Sequence, residues 1–472
     1  MVVRNLRNAR TNICKNMTVL VSCLFFLAQT FITLDQALEI ALSENVSVKV
    51  ADKEIERSEY AKRGTYASLF PQIDGSASFQ RTIEKQVMYM DFDMSSMTGG
   101  STSGDTSSES TGDSTSGGGL EVGRWNTFSA GVSAAMPLIN AQLWQSLHIS
   151  GQDVELAVEK ARSSRLEMVS QVKNAFYAVL LAKESYAVYK DVYDNALANY
   201  EKTKLKYEAQ KASDLDLARS ATTLANAVPN MYDSENSVTL ALWQLKAVMG
   251  VDLDEDIDVA GELYDYSDDM TTLYTEAELS LDGNSSLRQL AIQAEQLAAT
   301  VRMQKYSTLP TLSLMFSYNY SAMANDFKFD TYQWTPYSYV GLTLSVPIFS
   351  GGKYHYNIKA AQVQADELDL QRTESERQIK ISIRQNINSM ESALHSFDAA
   401  DKALESAQKA YDITQQSYEV GSSTLTDLND AQLALVQAKM TTAQSIYNYL
   451  TAKTSLEQTL GLDVNNTEEN KQ

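Results

Sequence analysis

The 472-residue sequence predicts a mainly α protein with a β component, in which long antiparallel coiled-coil helices accompany four strands suited to cross a bilayer. Three observations predict it. Apolar residues recur at heptad spacing through long Pro-free stretches. Four shorter segments alternate with period two. The chain is also written twice, so that each feature occurs in both halves.

Residues 1–30 read as a secretory signal peptide. Arg4, Arg7, Arg10 and Lys15 precede an apolar run from Val19 to Ala28, which is too short for a membrane helix. Cleavage is expected between Ala28 and Thr30. Leu20-Val21-Ser22-Cys23 also resembles a lipoprotein processing site, which leaves lipidation at Cys23 as the alternative. The only two cysteines, Cys14 and Cys23, both fall here. The rest of the chain therefore offers no disulfide, no Cys-based metal site and no thiol nucleophile. The formal charge of −21 includes four leader cations, so the remainder is more acidic still. That balance argues against nucleic acid as a partner. It fits either a cation-favouring lumen or a solvated surface.

The duplication sets the organisation. Ala135-Met136-Pro137-Leu138-Ile139 recurs as Ser345-Val346-Pro347-Ile348-Phe349. Tyr207-Glu208 with Ser213, Asp216 and Leu217 recurs as Tyr418-Glu419 with Thr424, Asp427 and Leu428. Leu245, Gly250 and Asp252 recur as Leu456, Gly461 and Asp463. The offset is 210 at the first match and 211 at the others. Upstream, Tyr66 and Pro71 answer to Tyr306 and Pro310 at an offset of about 240, wider by roughly one extra loop. The chain thus divides into a first repeat at 31–250, a connector at 251–273, a second repeat at 274–462 and a polar C-terminal tail at 463–472.

Each repeat is expected to open with a helix, over Leu34–Tyr66 and Tyr274–Tyr306, and to enter two strands. Ile73, Gly75, Ala77 and Phe79 mark the first strand. Phe128, Ala130, Val132, Ala134, Met136 and Leu138 mark the second, and Leu312, Leu314, Phe316, Tyr318 and Tyr320 the third. Val340, Leu342, Leu344, Val346 and Ile348 mark the fourth. Each is about ten residues long, the span of a tilted strand in a bilayer, with one apolar face and one small or polar face. A soluble sheet with one face on a core predicts the same alternation; the leader, the aromatics and the helix lengths favour membrane strands. Trp125, Trp334, Tyr337 and Tyr339 lie near strand starts, as an interfacial aromatic girdle requires. The loop at 95–119 is almost wholly Ser, Thr, Gly and acid and cannot bury a core. Its counterpart around Ala322–Tyr332 is short.

After the strands come helical hairpins. Val172, Phe176, Val179, Lys183, Tyr186, Tyr193 and Tyr200 align with Ile383, Ile387, Met390, Leu394, Phe397, Leu404 and Tyr411 in steps of three, four or seven. The stretch Ala141–Tyr207 contains no Pro, and as one helix it would be roughly 100 Å long. Turns follow at 210–213 and 421–423, and return helices over Asp214–Met249 and Leu425–Leu460. Ser213 and Thr424 sit at N-cap positions, each with Asp three residues on. Four strands cannot close a barrel, and open edges are not tolerated in lipid. Each chain must then share its barrel with copies of itself.

The sequence resembles the TolC-like outer-membrane efflux factors. The resemblance rests on the duplication, on Leu34-Asp35-Gln36-Ala37-Leu38, on Tyr66 to Pro71 (YASLFP), on Val346 to Gly352 (VPIFSGG) and on Tyr418-Glu419-Val420-Gly421 at a hairpin tip. It implies a homotrimer in outer-membrane lipid, with a shared barrel of about twelve strands standing on an α-helical barrel that crosses the periplasm. It also implies a periplasmic adaptor, or membrane fusion protein, and an inner-membrane transporter as partners. By the same resemblance Asp427 and Asp430, with Asp216 and Arg219 aligned in the first half, fall at a pore constriction. The alternative for the aspartates is that they are first-turn carboxylates stabilising helix N-termini. The adaptor would meet the hairpin tips, at Tyr207, Ser213 and Leu217 and at Tyr418, Val420, Gly421, Thr424 and Leu428. Ala209-Gln210 departs from the Val-Gly of the second tip, which leaves the first docking groove open to the reading of an ordinary turn.

No enzyme chemistry is expected, and no catalytic residue, cofactor or metal site. The three histidines, His148, His355 and His395, lack metal-ligand spacing. No phosphate loop, G-x-S-x-G or H-E-x-x-H occurs. The expected function is export of small molecules through a trans-periplasmic duct. A type I protein-secretion exit duct has the same fold, and a coiled-coil surface scaffold would explain the heptads without the strands.

Overall fold

The computed structural model describes residues 30–88, 120–271 and 280–462. The expected signal peptide with Cys23, the loop at 95–119, the helix start at Tyr274 and the tail at 463–472 lie outside the described residues. In chain order the elements are β1 (Thr30–Ile32), α1 (Leu34–Glu44), α2 (Val46–Ala67), β2 (Gln72–Arg81), β3 (Gln86–Met88), β4 (Leu120–Val122), β5 (Asn126–Ile139), α3 (Ala141–Glu208) and α4 (Asp214–Met249). They continue with β6 (Ile257–Val259), α5 (Ser285–Tyr306), β7 (Thr311–Ala324), β8 (Thr335–Ser345), α6 (Lys353–Glu419) and α7 (Leu425–Leu460). The described residues of 1–60, 151–298 and 363–472 form one compact unit, and those of 61–150 and 299–362 another.

The first unit is helical. Its core gathers Val172, Phe176 and Val179 of α3, Leu245 and Met249 of α4, and Ile446, Leu450, Leu456 and Leu460 of α7. The α3 residues are the predicted heptad positions, and burial of this apolar seam fixes the helices side by side. Lys183 occupies a seam position and is not apolar. Its Nζ donates to the Val259 carbonyl at 2.7 Å and pairs with Asp258 Oδ1 at 2.5 Å, so the charge ties α3 to the connector. The connector contains a strand that periodicity over three residues cannot announce. β6 runs parallel to β1, with Phe31 opposite Asp258.

The helix expected over Leu34–Tyr66 is two helices, broken at Asn45, whose backbone is extended at ψ 133°. Asn45 Oδ1 accepts from the Ser47 amide at 2.6 Å and opens α2, while its Nδ2 donates to the Val248 carbonyl at 2.6 Å and closes α4. Asn284 repeats the arrangement: its Oδ1 accepts from the Leu287 amide at 2.9 Å and its Nδ2 donates to the Thr459 carbonyl at 2.6 Å. Of the helix expected over Tyr274–Tyr306, the described residues 280–284 are not α-helical, and α5 begins at Ser285. One amide side chain satisfies a donor at one helix start and an acceptor at another helix end, both otherwise orphaned. Beside each clamp the return helix stops on a left-handed glycine, Gly250 at φ 79° and Gly461 at φ 70°. A Cβ on Gly461 would lie 2.0 Å from the Gly283 carbonyl oxygen, so no larger residue fits.

The second unit holds a four-stranded antiparallel sheet in the order β2-β5-β7-β8. β5 accommodates Pro137 through a register shift between Pro137 and Ile139. The fourth strand ends at Ser345, before Val346 and Ile348, which were expected within it. Pro347 supplies no N–H to a ladder and restrains Val346, and Gly351 and Gly352 then turn the chain at positive φ.

The clamps are testable. Asn45→Ala and Asn284→Ala should each destabilise their helix junction by about 1–2 kcal/mol. Amide exchange should accelerate at the last turn of α4 in the first variant and of α7 in the second. Unchanged exchange at those turns would rule the clamp out.

Candidate functional site

Two regions carry the expected functional residues: the sheet of the second unit and the hairpin tips of the first. In the sheet, the strand register sorts the side chains into two faces. One face carries Ile73 and Phe79, Phe128 and Val132, Phe316, Tyr318 and Tyr320, and Val340, Leu342 and Leu344. The other carries Asp74, Ser76 and Ser78, Ser129, Gly131 and Ser133, Ser317, Asn319 and Ser321, and Gly341 and Thr343. Ser78 and Ser129 are hydrogen-bonded across strands at 2.7 Å. Most of the large apolar side chains are solvent-exposed in the single chain. Of the two faces, only the apolar one suits hydrocarbon, since Asp74 on a lipid-facing side would cost roughly 3 kcal/mol. β2 and β8 are the edges, and neither outer edge meets another strand among the described residues.

Aromatic residues crowd the loop end of the apolar face. Phe79 stacks on Phe128 at 4.7 Å between centroids, and Phe128 also meets Phe329 at 5.2 Å and Tyr332 at 5.5 Å. The loop between β7 and β8 is thus folded against the sheet. It is held there by Asn126 Nδ2, which donates to the Asp326 carbonyl, while the Tyr332 hydroxyl donates to the same carbonyl and closes the loop on itself. Arg81 and Lys85 place cations by Phe327 and Trp125. At the helix end, Phe70, Ile348 and Phe349 are exposed, the last two at 94% and 90%. Sequence reasoning did not single out Phe79, Phe128, Phe327, Phe329 and Tyr332 as a belt, because the loop's return onto the sheet is a tertiary event.

The four residues expected as a girdle do not stand together. Trp125 and Trp334 flank the strands and are partly exposed. Tyr337 and Tyr339 pair with Asn319 and Ser317 and so lie on the polar face. Parity is the reason. Only even-numbered residues of β8 share a side with Val340 and Leu342.

At the tips, the two hairpins adopt the same turn. Gln210 and Gly421 both have positive φ, 60° and 80°, and Gln210 is the one non-glycine residue among those described to do so. The Lys211 amide donates to the Lys206 carbonyl at 2.7 Å, and the Ser422 amide to the Ser417 carbonyl at 2.8 Å. The departure from Val-Gly thus leaves the backbone path unchanged. Both return helices open with reciprocal capping boxes. The Asp216 and Asp427 amides donate to the Ser213 and Thr424 hydroxyl oxygens, and the two carboxylates accept from the Ser213 and Thr424 amides. Those hydroxyls, with the amides second, hold both carboxyls below the ordinary aspartate range. Arg219 adds a smaller attraction at Asp216. Asp430 and Arg219 are exposed one turn further on.

The tips also touch each other. Lys202 pairs with Glu419 at 3.0 Å, Lys206 stands 5.4 Å over the Tyr418 ring, and the Thr203 and Tyr418 hydroxyls lie 3.5 Å apart. Val420 is 82% exposed at the turn, with Leu215 and Tyr207 exposed on the other tip. Leu428, expected on the docking surface, is 1% exposed and packs with Tyr411 and Leu435. It belongs to the hairpin's own seam, one heptad before Leu435.

Among the described residues no group of His, Cys, Asp and Glu is arranged to hold a metal ion, and no helix is long and apolar enough to cross a membrane. A family model described as outer membrane efflux protein matches residues 37–251 and 277–462. The outer membrane protein TolC of Escherichia coli (strain K12) is 22% identical over 346 residues, 71% of this chain and 70% of that protein. The crystal structure of the Campylobacter jejuni CmeC outer membrane channel superposes with a TM-score of 0.68 at 18% identity, over 93% of this chain and 88% of the other. The outer membrane protein VceC from Vibrio cholerae gives 0.68 at 15% identity, over 91% and 96%.

The caps have a pH signature. Folded-state pKa values below the unfolded ones mean that the caps contribute fully at neutral pH. Their contribution falls once pH drops below about 3.9 and is lost through the folded values beneath it. First-turn amides of α4 and α7 should therefore exchange faster on acidification, and Asp216→Asn with Asp427→Asn should flatten that pH dependence. Separately, Gln210→Gly should raise the stability of the first tip by about 1 kcal/mol by relieving the left-handed strain. Amide exchange at Lys206–Lys211 would report it.

Proposed function

This chain belongs to the outer membrane efflux protein family, and on that premise we propose that three copies form an outer-membrane export channel for small molecules. The observation that carries the proposal is the open sheet. Its ten-residue edge β2 leaves about ten backbone groups facing outward, and each unpaired group in hydrocarbon costs roughly 2–7 kcal/mol. Pairing β8 of one copy with β2 of the next removes both edges. Three copies close twelve strands around a polar interior, with the apolar faces and their aromatic belts toward lipid. The two repeats, the leader at 1–30 and the connector at 251–273 complete this reading, with export to the outer membrane and a periplasmic helical portion.

The hairpin tips then face the periplasmic partners. Exposed Val420 and Gly421, with Tyr207 and the backbone-equivalent first tip, form the surface for a periplasmic adaptor, and an inner-membrane transporter supplies the cargo. Three copies of Asp427, Asp430 and Asp216 ring the constriction with negative charge, moderated by Arg219, and favour cations. Trp125 and Trp334 join the aromatic belt at the interface.

Purified in detergent, the protein should have the mass of a trimer and give discrete conductance steps in planar bilayers; a monodisperse monomer without conductance would refute the reading. Asp430→Asn should lower the cation-to-anion permeability ratio while leaving the caps intact. Asp427→Asn should lower the ratio and also speed first-turn exchange in α7. An unchanged ratio in the double variant would remove the aspartates from the constriction.

A further inference from the structure

The polar face of the sheet carries two large aromatic residues that its alternation does not explain. Tyr337 and Tyr339 stand on β8 with Gly341 and Thr343, and their rings are 5.7 Å apart between centroids. They are 63% and 43% exposed. On the same face of the other strands, the described residues are Ser, Thr, Asn, Gln, Gly, Ala, Met, Pro and one Asp. The register places each tyrosine at the end of a row of smaller side chains. One row runs Ser76, Gly131, Asn319, Tyr337, and the next runs Asp74, Ser133, Ser317, Tyr339. The aromatic bulk is thus gathered on one edge strand, at its loop end, with a carboxylate in the row of Tyr339. The small residues opposite leave the rings uncovered. A Cβ at Gly131 would lie 1.9 Å from Asn319 Oδ1, so a larger residue there would displace the Asn319 side chain.

We propose that Tyr337 and Tyr339 form a solute-selecting ring for organic cations on the water-filled side of the barrel, near its loop end. This rests on the channel reading above. Three copies present six phenol rings, and in each copy Asp74 shares a strand-to-strand row with Tyr339. Phenol faces attract cations with little hydration, such as quaternary ammonium ions, and nearby carboxylates raise their local concentration. The rings also narrow the passage that Ser and Gly otherwise leave wide.

Two measurements test the ring. In planar bilayers, the parent channel should be blocked by tetrabutylammonium, and Tyr337→Ser/Tyr339→Ser should conduct more potassium and be blocked about fivefold less tightly, the ratio one exposed cation–π contact supplies. Equal conductance and equal block in parent and variant would overturn the proposal. A parent that does not conduct at all would instead bring down the channel reading. If the variant fails to insert, cysteine scanning decides, with the parent, whose only cysteines are Cys14 and Cys23, as baseline. Cysteines at 337 and 339 should react with a membrane-impermeant thiosulfonate, and those at 340 and 342 only with a lipid-soluble maleimide. The reverse pattern would place the tyrosines in lipid and refute the ring.

Discussion

The backbone groups on the outer edges of β2 and β8 impose the strongest constraint on this protein. A sheet of four strands with one face of Ile, Phe, Val and Leu cannot bury that face within its own chain, and most of those residues remain exposed. Water would satisfy the edges but leave the apolar face wet. Hydrocarbon would accept the face but leave the edges unpaired. The proposed closure on further copies would answer both demands, and the polar face would then enclose an aqueous path. The loop between β7 and β8 answers part of the demand locally. It lays Phe327, Phe329 and Tyr332 along the aromatic end of the sheet, where Arg81 and Lys85 supply the cations an interface favours.

The helical unit meets a different problem. Long helices packed by a heptad seam are held well along their sides but not at their ends. Asn45 and Asn284 solve this identically, each starting one helix and finishing another. Gly461 lets the chains pass at a distance that admits no side chain, and Gly250 leaves only a tight fit at 3.0 Å from Asn45 Cα. At the opposite ends of the return helices, Ser213 and Thr424 close the amides through Asp216 and Asp427. Both repeats thus close their helix termini with polar side chains and, Lys183 apart, leave the predicted seam of α3 to apolar and aromatic packing.

How much of this was legible depended on periodicity. The heptads placed α3 and the body of α6, because long repeats average out local exceptions, and the turns and caps bounded α4 and α7. The alternation located all four long strands, yet it could not find β1, β3, β4 or β6, whose three residues contain no period. It also carried the fourth strand past Pro347, where the ladder stops for want of a donor. Proximity to a strand start suggested that Tyr337 and Tyr339 belong with the tryptophans. Parity, counted from Val340, assigns them to the other face, and that signal was present in the sequence. Leu428 was misread for a similar reason: its place one heptad before Leu435 marks it as seam, while its nearness to the tip suggested a surface. Asn45 gave no signal, since its partner Val248 lies 203 residues away.

The capping boxes bear on how charge would be divided at the proposed constriction. The hydroxyls and amides that lower the proton affinity of Asp216 and Asp427 also occupy their oxygens. A carboxylate so engaged stays ionised to lower pH than a free one, but it offers a passing cation fewer free lone pairs. Asp430, exposed on the next turn, is three residues along the same helix and so on the same face. The two positions then complement each other. At the proposed constriction Asp427 would hold its negative charge to lower pH than a free aspartate, and Asp430 would supply the oxygens a cation can reach. In the first repeat the position of Asp430 is taken by Arg219, so the field there is weaker and more nearly neutral. A ring built from both tips alternates strong and weak sectors, and cations would follow the sectors contributed by the second hairpin.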